Sequence, residues 1–187
     1  LKPALDAGVQ IDYVVSIDGE PVIAEFFRGV KPDPEVKGIM NGLTISPETV
    51  EACPYEIYWF INFIDDPTED KSLTRAVHFM TEKTMLQSPG NVGAMSWHLA
   101  YFMGCSPIAL VGLDYGYPAG TPIEETPYYG AYLRGLCGGS PEKVRGCFRE
   151  LANAETGRKV LVDINWDTYA QVFQQFLGAA RRQSGLV

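Results

Sequence analysis

The sequence is poor in the residues that build metal and thiol sites. Its 187 residues include two histidines and four cysteines, and neither type shows the spacing of a zinc or dithiol motif. Because Cys53, Cys105, Cys137 and Cys147 form no Cys-x-x-Cys pair, we expect reduced thiols and a cytoplasmic protein.

Basic charge is scarce as well. The chain has 15 Lys and Arg against 23 Asp and Glu, a net charge of −8 and an isoelectric point near 4.7. Sequence-independent binding to nucleic acid or to an anionic membrane surface needs clustered Lys and Arg, so the composition argues against both. A nucleotide pocket is still compatible, because backbone N–H groups and Mg²⁺ can hold phosphate without a basic surface.

Long hydrophobic runs and several signature motifs are also missing. No apolar segment approaches the roughly 20 residues that span a bilayer, and we expect no signal peptide. The chain contains no P-loop, no dinucleotide G-x-G-x-x-G and no G-x-S-x-G. It opens on Leu1-Lys-Pro-Ala-Leu5, which is typical of the middle of a helix, so we interpret it as a fragment of a longer chain.

Strand-like and helix-like segments alternate along the sequence. Three segments are typical of strands: Tyr13–Asp18, Ile57–Phe63 and Lys159–Asp163. Asp167–Arg182 is an amphipathic helix with its acidic residue first and its arginines last. Hydrophobic residues make up 46% and charged residues 20%, which is ordinary for a globular protein. The alternation predicts one α/β domain over residues 1–187 with a mainly parallel sheet.

The most informative stretch runs from Ser88 to Pro118. A small-residue loop precedes a helix that ends at Gly104, and either Ser88 or Asn91 can cap that helix. The continuous apolar run Ile108–Leu113 then predicts a strand buried on both faces, ending at Asp114.

Two carboxylates and this loop form the predicted site. Asp18 and Asp114 each follow a predicted strand, and ligands of open α/β sheets bind beyond the carboxyl ends of strands. We expect both to share one cleft with the loop, on adjacent strands; the alternatives are ordinary loop aspartates and a plain capped helix. The N–H groups of the loop suit a phosphate, and its candidate nucleotide-binding residues are Ser88, Gly90, Asn91, Val92 and Gly93.

Aromatic residues surround the end of the central block. The candidate substrate-binding residues are Tyr115, Gly116 and Tyr117, and the polar segment Ala119–Tyr129 is typical of a lid or binding loop. Tyrosine rings there can stack on a flat ligand or pack within the loop, and both interpretations are open.

Two blocks resemble a known family. Asp12–Asp18, and Gly90-Asn-Val-Gly93 followed by Leu99–Gly104 and Ile108–Tyr117, resemble 6-hydroxymethylpterin diphosphokinase MptE-like proteins. The same domain forms the centre of the motility-associated factor (Maf) glycosyltransferases. The resemblance runs from about Leu1 to about Tyr117 and continues faintly over Asp163–Phe176.

The resemblance implies a Rossmann-like three-layer sandwich, similar to bacterial sialyltransferases, and transfer from a nucleotide donor. Archaeal members move diphosphate from ATP to a pterin alcohol with Mg²⁺, and Maf members move a nonulosonic acid from a CMP-sugar to flagellin. We therefore expect a diphosphokinase, with a Maf-like glycosyltransferase or a non-catalytic nucleotide-binding remnant as alternatives. Asp114 and Asp18 become the candidate catalytic and Mg²⁺-binding residues.

Two features depart from the family pattern. The usual glycine-rich GxGPSL strand-loop is absent, which predicts that this chain lacks one or two N-terminal strands and part of the donor site. The family often has Asp-Pro where this chain has Asp18-Gly19, which leaves the role of that loop open.

Overall fold

The computed structural model describes residues 1–126, 128–152 and 157–183 and divides into two compact units, Leu1–Ile108 and Ala109–Val187. The first unit contains an all-parallel sheet whose four strands stand in chain order. They are β1 (Tyr13–Ser16), β2 (Lys37–Asn41), β3 (Glu56–Asn62) and β4 (Thr84–Leu86). A single domain over residues 1–187 stays a prediction.

Helices cover both faces of this sheet. They are α1 (Lys2–Asp6), a 3₁₀ helix (Pro21–Phe26), α2 (Pro47–Ala52), α3 (Leu73–Thr81) and α4 (Val92–Phe102). Side chains alternate along each strand: Ile39 packs with Met95 and Leu99 of α4, whereas Met40 packs with Phe27, which follows the 3₁₀ helix. The unit is thus a helix–sheet–helix sandwich, and the predicted Rossmann-like α/β class is confirmed.

The helix ends follow local sequence signals. Ser46 caps α2, with its side chain accepting from the Thr49 N–H at 3.2 Å. Asn91 is the cap of α4, with its Oδ1 accepting from the Ala94 N–H at 3.0 Å. Gly104 follows α4 with φ +83°, which suits a glycine after a helix end. Capping residues act within one turn, so the sequence alone locates these boundaries.

The second unit has a different, antiparallel sheet. Its strands β5 (Tyr117–Pro118), β6 (Phe148–Ala152) and β7 (Lys159–Asp163) stand in the order β5-β7-β6. Its helices are a 3₁₀ helix (Ile123–Glu125), α5 (Tyr129–Arg134), α6 (Pro141–Arg145) and α7 (Ile164–Gln183). Of the three strands, only β7 was expected from the sequence. The closing helix α7 begins three residues before the predicted Asp167.

The predicted central strand Ile108–Leu113 is wrong. No strand is assigned to this run, and Val111 is 95% exposed. The backbone enters the left-handed region at Gly112 (φ +73°) and at Tyr115 (φ +50°), which interrupts the extended conformation that a strand requires. An apolar run becomes a buried strand only when neighbouring strands pair with it. In the described part of the chain, no strand pairs with this run.

A buried carboxylate organises the second unit. Asp163 is 1% exposed and accepts hydrogen bonds of 3.0 Å from the hydroxyls of Tyr117 and Tyr132. It also accepts from the backbone N–H groups of Asn165 and Trp166, at 2.9 and 3.0 Å, and so caps α7. Burial, followed by contact with the carboxylate, raises the pKa of both tyrosines above its ordinary value. One side chain therefore joins β5, β7, α5 and α7.

Among the described residues, no helix combines the length and the apolar character needed to cross a bilayer.

We expect Asp163→Ala to lower the free energy of unfolding by about 3–5 kcal/mol, because two buried hydroxyls and a helix cap lose their acceptor together. Chemical denaturation measures the effect. The control is Glu150→Ala, which removes only an exposed ion pair with Lys159 and should cost at most about 0.5 kcal/mol. Equal losses in the two variants would contradict the organising role of Asp163.

Alkaline pH should destabilise the second unit. The unfolded tyrosines ionise near pH 10, whereas the folded pKa of Tyr117 and Tyr132 is higher. The stability that these residues contribute is therefore complete below about pH 10 and falls as the pH rises above it. Melting temperatures between about pH 8 and 11 should fall more steeply for the parent protein than for the variant with both tyrosines changed to Phe; parallel curves would refute the assignment.

Candidate functional site

Parallel pairing brings the carboxyl ends of β1–β4 to one edge of the sheet in the first unit. Each strand is followed or ended there by a polar residue: Asp18 after β1, Asn41 in β2, Asn62 in β3 and Ser88 after β4. This edge is where ligands of open α/β sheets bind. It is therefore the candidate site of this unit.

Asp18 and the loop of residues 88–93 both lie at this edge. The predicted adjacency of their strands is not found. Their strands, β1 and β4, are the two outer strands, separated by β2 and β3. Three strand spacings of about 4.8 Å place the strands roughly 14 Å apart. The expectation was wrong because the sheet adds each new strand on the same side. A single ion cannot bridge this distance, whereas an extended ligand can.

The loop before α4 presents backbone donors. The Gly90 N–H already donates to Ser88 Oγ at 3.3 Å, and Gly90 has φ +91°, a conformation that glycine adopts without strain. The Ala94 N–H donates to Asn91 Oδ1. As the first two helical residues, Val92 and Gly93 have N–H groups with no acceptor inside the helix. These two donors, at the positive end of the helix dipole, can bind an anion.

The Asp18 loop is held by contacts from β2. The fully buried Asn41 donates from Nδ2 to Thr44 Oγ1 at 2.9 Å, and that hydroxyl donates to the Ile17 carbonyl. A Cβ at Gly19 would lie 2.6 Å from the Thr44 carbonyl oxygen, so only glycine fits there without a shift. This close approach accounts for a glycine directly after Asp18.

The carboxylate of Asp18 itself is exposed. It makes no hydrogen bond or ion pair with any of the described residues. This carboxylate is therefore accessible to a ligand, and folding does not depend on a bond to it.

A depression of about 560 Å³ lies beyond β3 and β4. It is lined by Phe63, Ile64, Asp65, Asp66, Pro67, Gln87 and Ser88. Asp65 accepts from the Leu73 N–H, the Ser72 hydroxyl and the Thr74 N–H at 2.7–3.0 Å, and these bonds hold the pKa of its carboxyl well below the usual range. Asp65 therefore caps α3 from seven or more residues away, a contact that no local sequence signal revealed.

The remaining predicted residues belong to the second unit. Asp114 is exposed, follows no strand and has no partner among the described residues. Gly116 packs against β7, because a Cβ there would meet Val160 at 3.5 Å. Tyr117 is buried, with its ring stacked on Trp166 at 4.1 Å between centroids. The ring of Tyr117 thus packs within the second unit. A substrate contact by Tyr115, Gly116 or Tyr117, and a cleft shared by Asp114 and Asp18, stay predictions.

The described residues contain no group of three or more His, Cys, Asp or Glu side chains that could hold a metal ion. Mg²⁺ is often bound by only one or two carboxylates together with substrate phosphates. The exposed, unpartnered carboxylates of Asp18 and Asp114 fit that mode, each within its own unit. A Mg²⁺ site on these residues stays a prediction.

A family model described as 6-hydroxymethylpterin diphosphokinase MptE-like matches residues 1–120. The chain belongs to this family. The match includes the whole parallel sheet, the loop before α4 and Asp114. No curated protein and no solved structure matches the chain. Membership of the MptE-like family indicates a transferase-type function, related to that of pterin diphosphokinases or Maf glycosyltransferases.

Gly19→Ala should destabilise the first unit by about 1–3 kcal/mol, because the added Cβ forces apart the Asp18 loop and the Thr44 turn. Gly42→Ala is the matched control, since a Cβ there meets only ordinary contacts of 3.6 Å. Urea denaturation of both variants measures the difference. Equal midpoints would show that the close approach at Gly19 relaxes at no cost.

Proposed function

We propose that this MptE-like protein is a nucleotide-dependent transferase that moves diphosphate from ATP to the alcohol of 6-hydroxymethyl-7,8-dihydropterin. One observation carries the proposal: the capped N-terminus of α4 lies at the carboxyl edge of a parallel sheet, inside the region that the family model matches. Nucleotide phosphates are the ligands that such a helix end suits best. We also propose a cytoplasmic location.

In this proposal the loop before α4 holds the phosphates. The N–H groups of Val92 and Gly93 donate to phosphate oxygens, and the first helical turn, which Asn91 caps, orients them. Ser88 contributes by fixing the N–H of Gly90. Preorganised backbone donors of this kind stabilise the charge that develops on a leaving phosphate without any basic side chain.

Two carboxylates are the proposed Mg²⁺-binding groups. Asp18 in the first unit and Asp114 in the second would each hold Mg²⁺ directly or through water. When bound, Mg²⁺ neutralises phosphate charge and so assists the departure of the leaving group. Asp18 is suited to this role because it is exposed and unpartnered on a loop that Thr44 and Asn41 fix. Tyr115, Gly116 and Tyr117 are the proposed contacts to the acceptor.

A Maf-like glycosyltransferase that uses a CMP-nonulosonic acid donor is the second candidate. It is supported by Gly90-Asn-Val-Gly93, which resembles the Maf members at least as closely as the diphosphokinases. The same helix end would then bind the single phosphate of CMP. A nucleotide-binding remnant without catalysis would use the same contacts.

Calorimetric titration with ATP, CMP and a CMP-sugar, each with and without Mg²⁺, separates these candidates. A diphosphokinase should bind ATP more tightly with Mg²⁺ and should release AMP only when both ATP and the pterin alcohol are present. Preference for CMP and its sugar, independent of Mg²⁺, would transfer the proposal to the glycosyltransferase. Binding of ATP without AMP release would favour the remnant, and no binding of any nucleotide would overturn the proposal.

Three variants test the assigned residues. Asp18→Asn and Asp114→Asn should each remove the Mg²⁺-dependent part of ATP binding, a loss of about tenfold or more in affinity, and leave the melting temperature within a few degrees. Asn91→Ala should weaken binding with and without metal, because it removes the cap that orders the donors.

Asp12→Asn is the matched control for the carboxylate variants. Asp12 is also exposed but precedes β1, at the opposite edge of the sheet, so its loss should leave the affinity unchanged. If Asp18→Asn behaves like this control, the carboxylate of Asp18 has no part in nucleotide binding.

A further inference from the structure

Two cysteines of the second unit are in contact. Cys137 Sγ and Cys147 Sγ lie 3.8 Å apart, although ten residues separate them in the sequence and neither belongs to a Cys-x-x-Cys motif. Both are free thiols in the structure. Cys137 follows α5 and is 5% exposed, whereas Cys147 follows α6 and is partly exposed.

We propose that Cys137 and Cys147 form a redox pair that closes into an intramolecular disulfide when the protein meets a peroxide. A disulfide has an S–S length of about 2.0 Å, so the sulfurs must approach by about 1.8 Å from their 3.8 Å contact. Side-chain rotation can supply a movement of this size. The bond would close a loop that contains α6 and would connect the end of α5 to the start of β6.

The surroundings distinguish the two thiols. Cys147 lines a surface pocket of about 330 Å³ beside Phe148 and Thr168, so a small oxidant can reach it. Cys137 lies in the core cluster with Tyr132 and has no such access. Burial, contact with Cys137 and the nearby carboxylate of Asp163 raise the pKa of the Cys147 thiol. Cys147 is therefore mainly a thiol at neutral pH, and its oxidation needs an added oxidant.

The chemistry balances with hydrogen peroxide as the two-electron oxidant. The Cys147 thiol gives up its proton as its sulfur attacks one peroxide oxygen, the O–O bond breaks, and the released hydroxide takes up that proton to leave as water. The resulting sulfenic acid on Cys147 is then attacked by the sulfur of Cys137. The S–O bond breaks, a second water leaves, and the S–S bond forms. In total the two thiols lose two hydrogen atoms and peroxide is reduced to water.

The other two cysteines serve as internal references. Cys53 belongs to the first unit, where its thiol contacts the Tyr55 carbonyl oxygen at 3.9 Å. Cys105 is exposed. Among the described residues, no second contact between two cysteine sulfurs is found. Neither has a partner sulfur with which to form an internal disulfide.

Oxidation of the full chain with a small excess of hydrogen peroxide tests the proposal. We expect the loss of two free thiols, a decrease in intact mass of two hydrogen atoms, and one crosslinked peptide pair that contains Cys137 and Cys147. Closing this loop should also raise the melting temperature by about 5 °C or more, and a thiol reductant should reverse every change.

Variants make the result specific. Cys147→Ser should abolish both the crosslink and the oxidant-dependent rise in melting temperature, whereas the double variant Cys53→Ser/Cys105→Ser should retain both. Cys147→Ser changes the partly exposed member of the pair, so the protein should stay folded. Sulfinic acid on Cys147 with Cys137 still free, or a crosslink through Cys105, would overturn the proposal. None of these outcomes depends on nucleotide binding, so the proposed function can fail without affecting this inference.

Discussion

Parallel hydrogen bonding among four strands is the constraint on which the first unit depends. Because β1 to β4 run in one direction and in chain order, every strand ends at the same edge, and every connection must return across a face. The central strands then bury Met40 and Ile61 almost completely. This geometry collects the polar chain ends on one side, although the residues concerned are far apart in the sequence.

The two ends of that edge offer complementary chemistry. At β4 the first turn of α4 presents backbone donors that suit an anion. At β1 a free carboxylate stands on a loop that the side chains of β2 and its turn hold in place. The distance of roughly 14 Å between the two strands suits an extended ligand with a charged group at one end. This is the spatial basis on which we propose a nucleotide as ligand.

Much of the first unit could be predicted, and the incorrect predictions have a common cause. The strand segments around Tyr13 and Ile57, and the helix capped by Asn91, occur as expected, because alternation and capping act over a few residues. The run Ile108–Leu113 and the adjacency of Asp18 to the α4 loop were wrong. Both depended on which strands pair, and pairing is decided by segments far away in the chain.

The sequence by itself determined the class, the family resemblance, the helix ends and the candidate residues, because these depend on composition and on local patterns. Only the tertiary structure decided that Asp163 gathers two tyrosine hydroxyls, that Gly19 must lack a side chain beside Thr44, and that Cys137 touches Cys147. Each of these is a contact between segments that no spacing rule connects. The physical reason is that burial and close approach are properties of the packed chain, whereas propensity belongs to its local stretches.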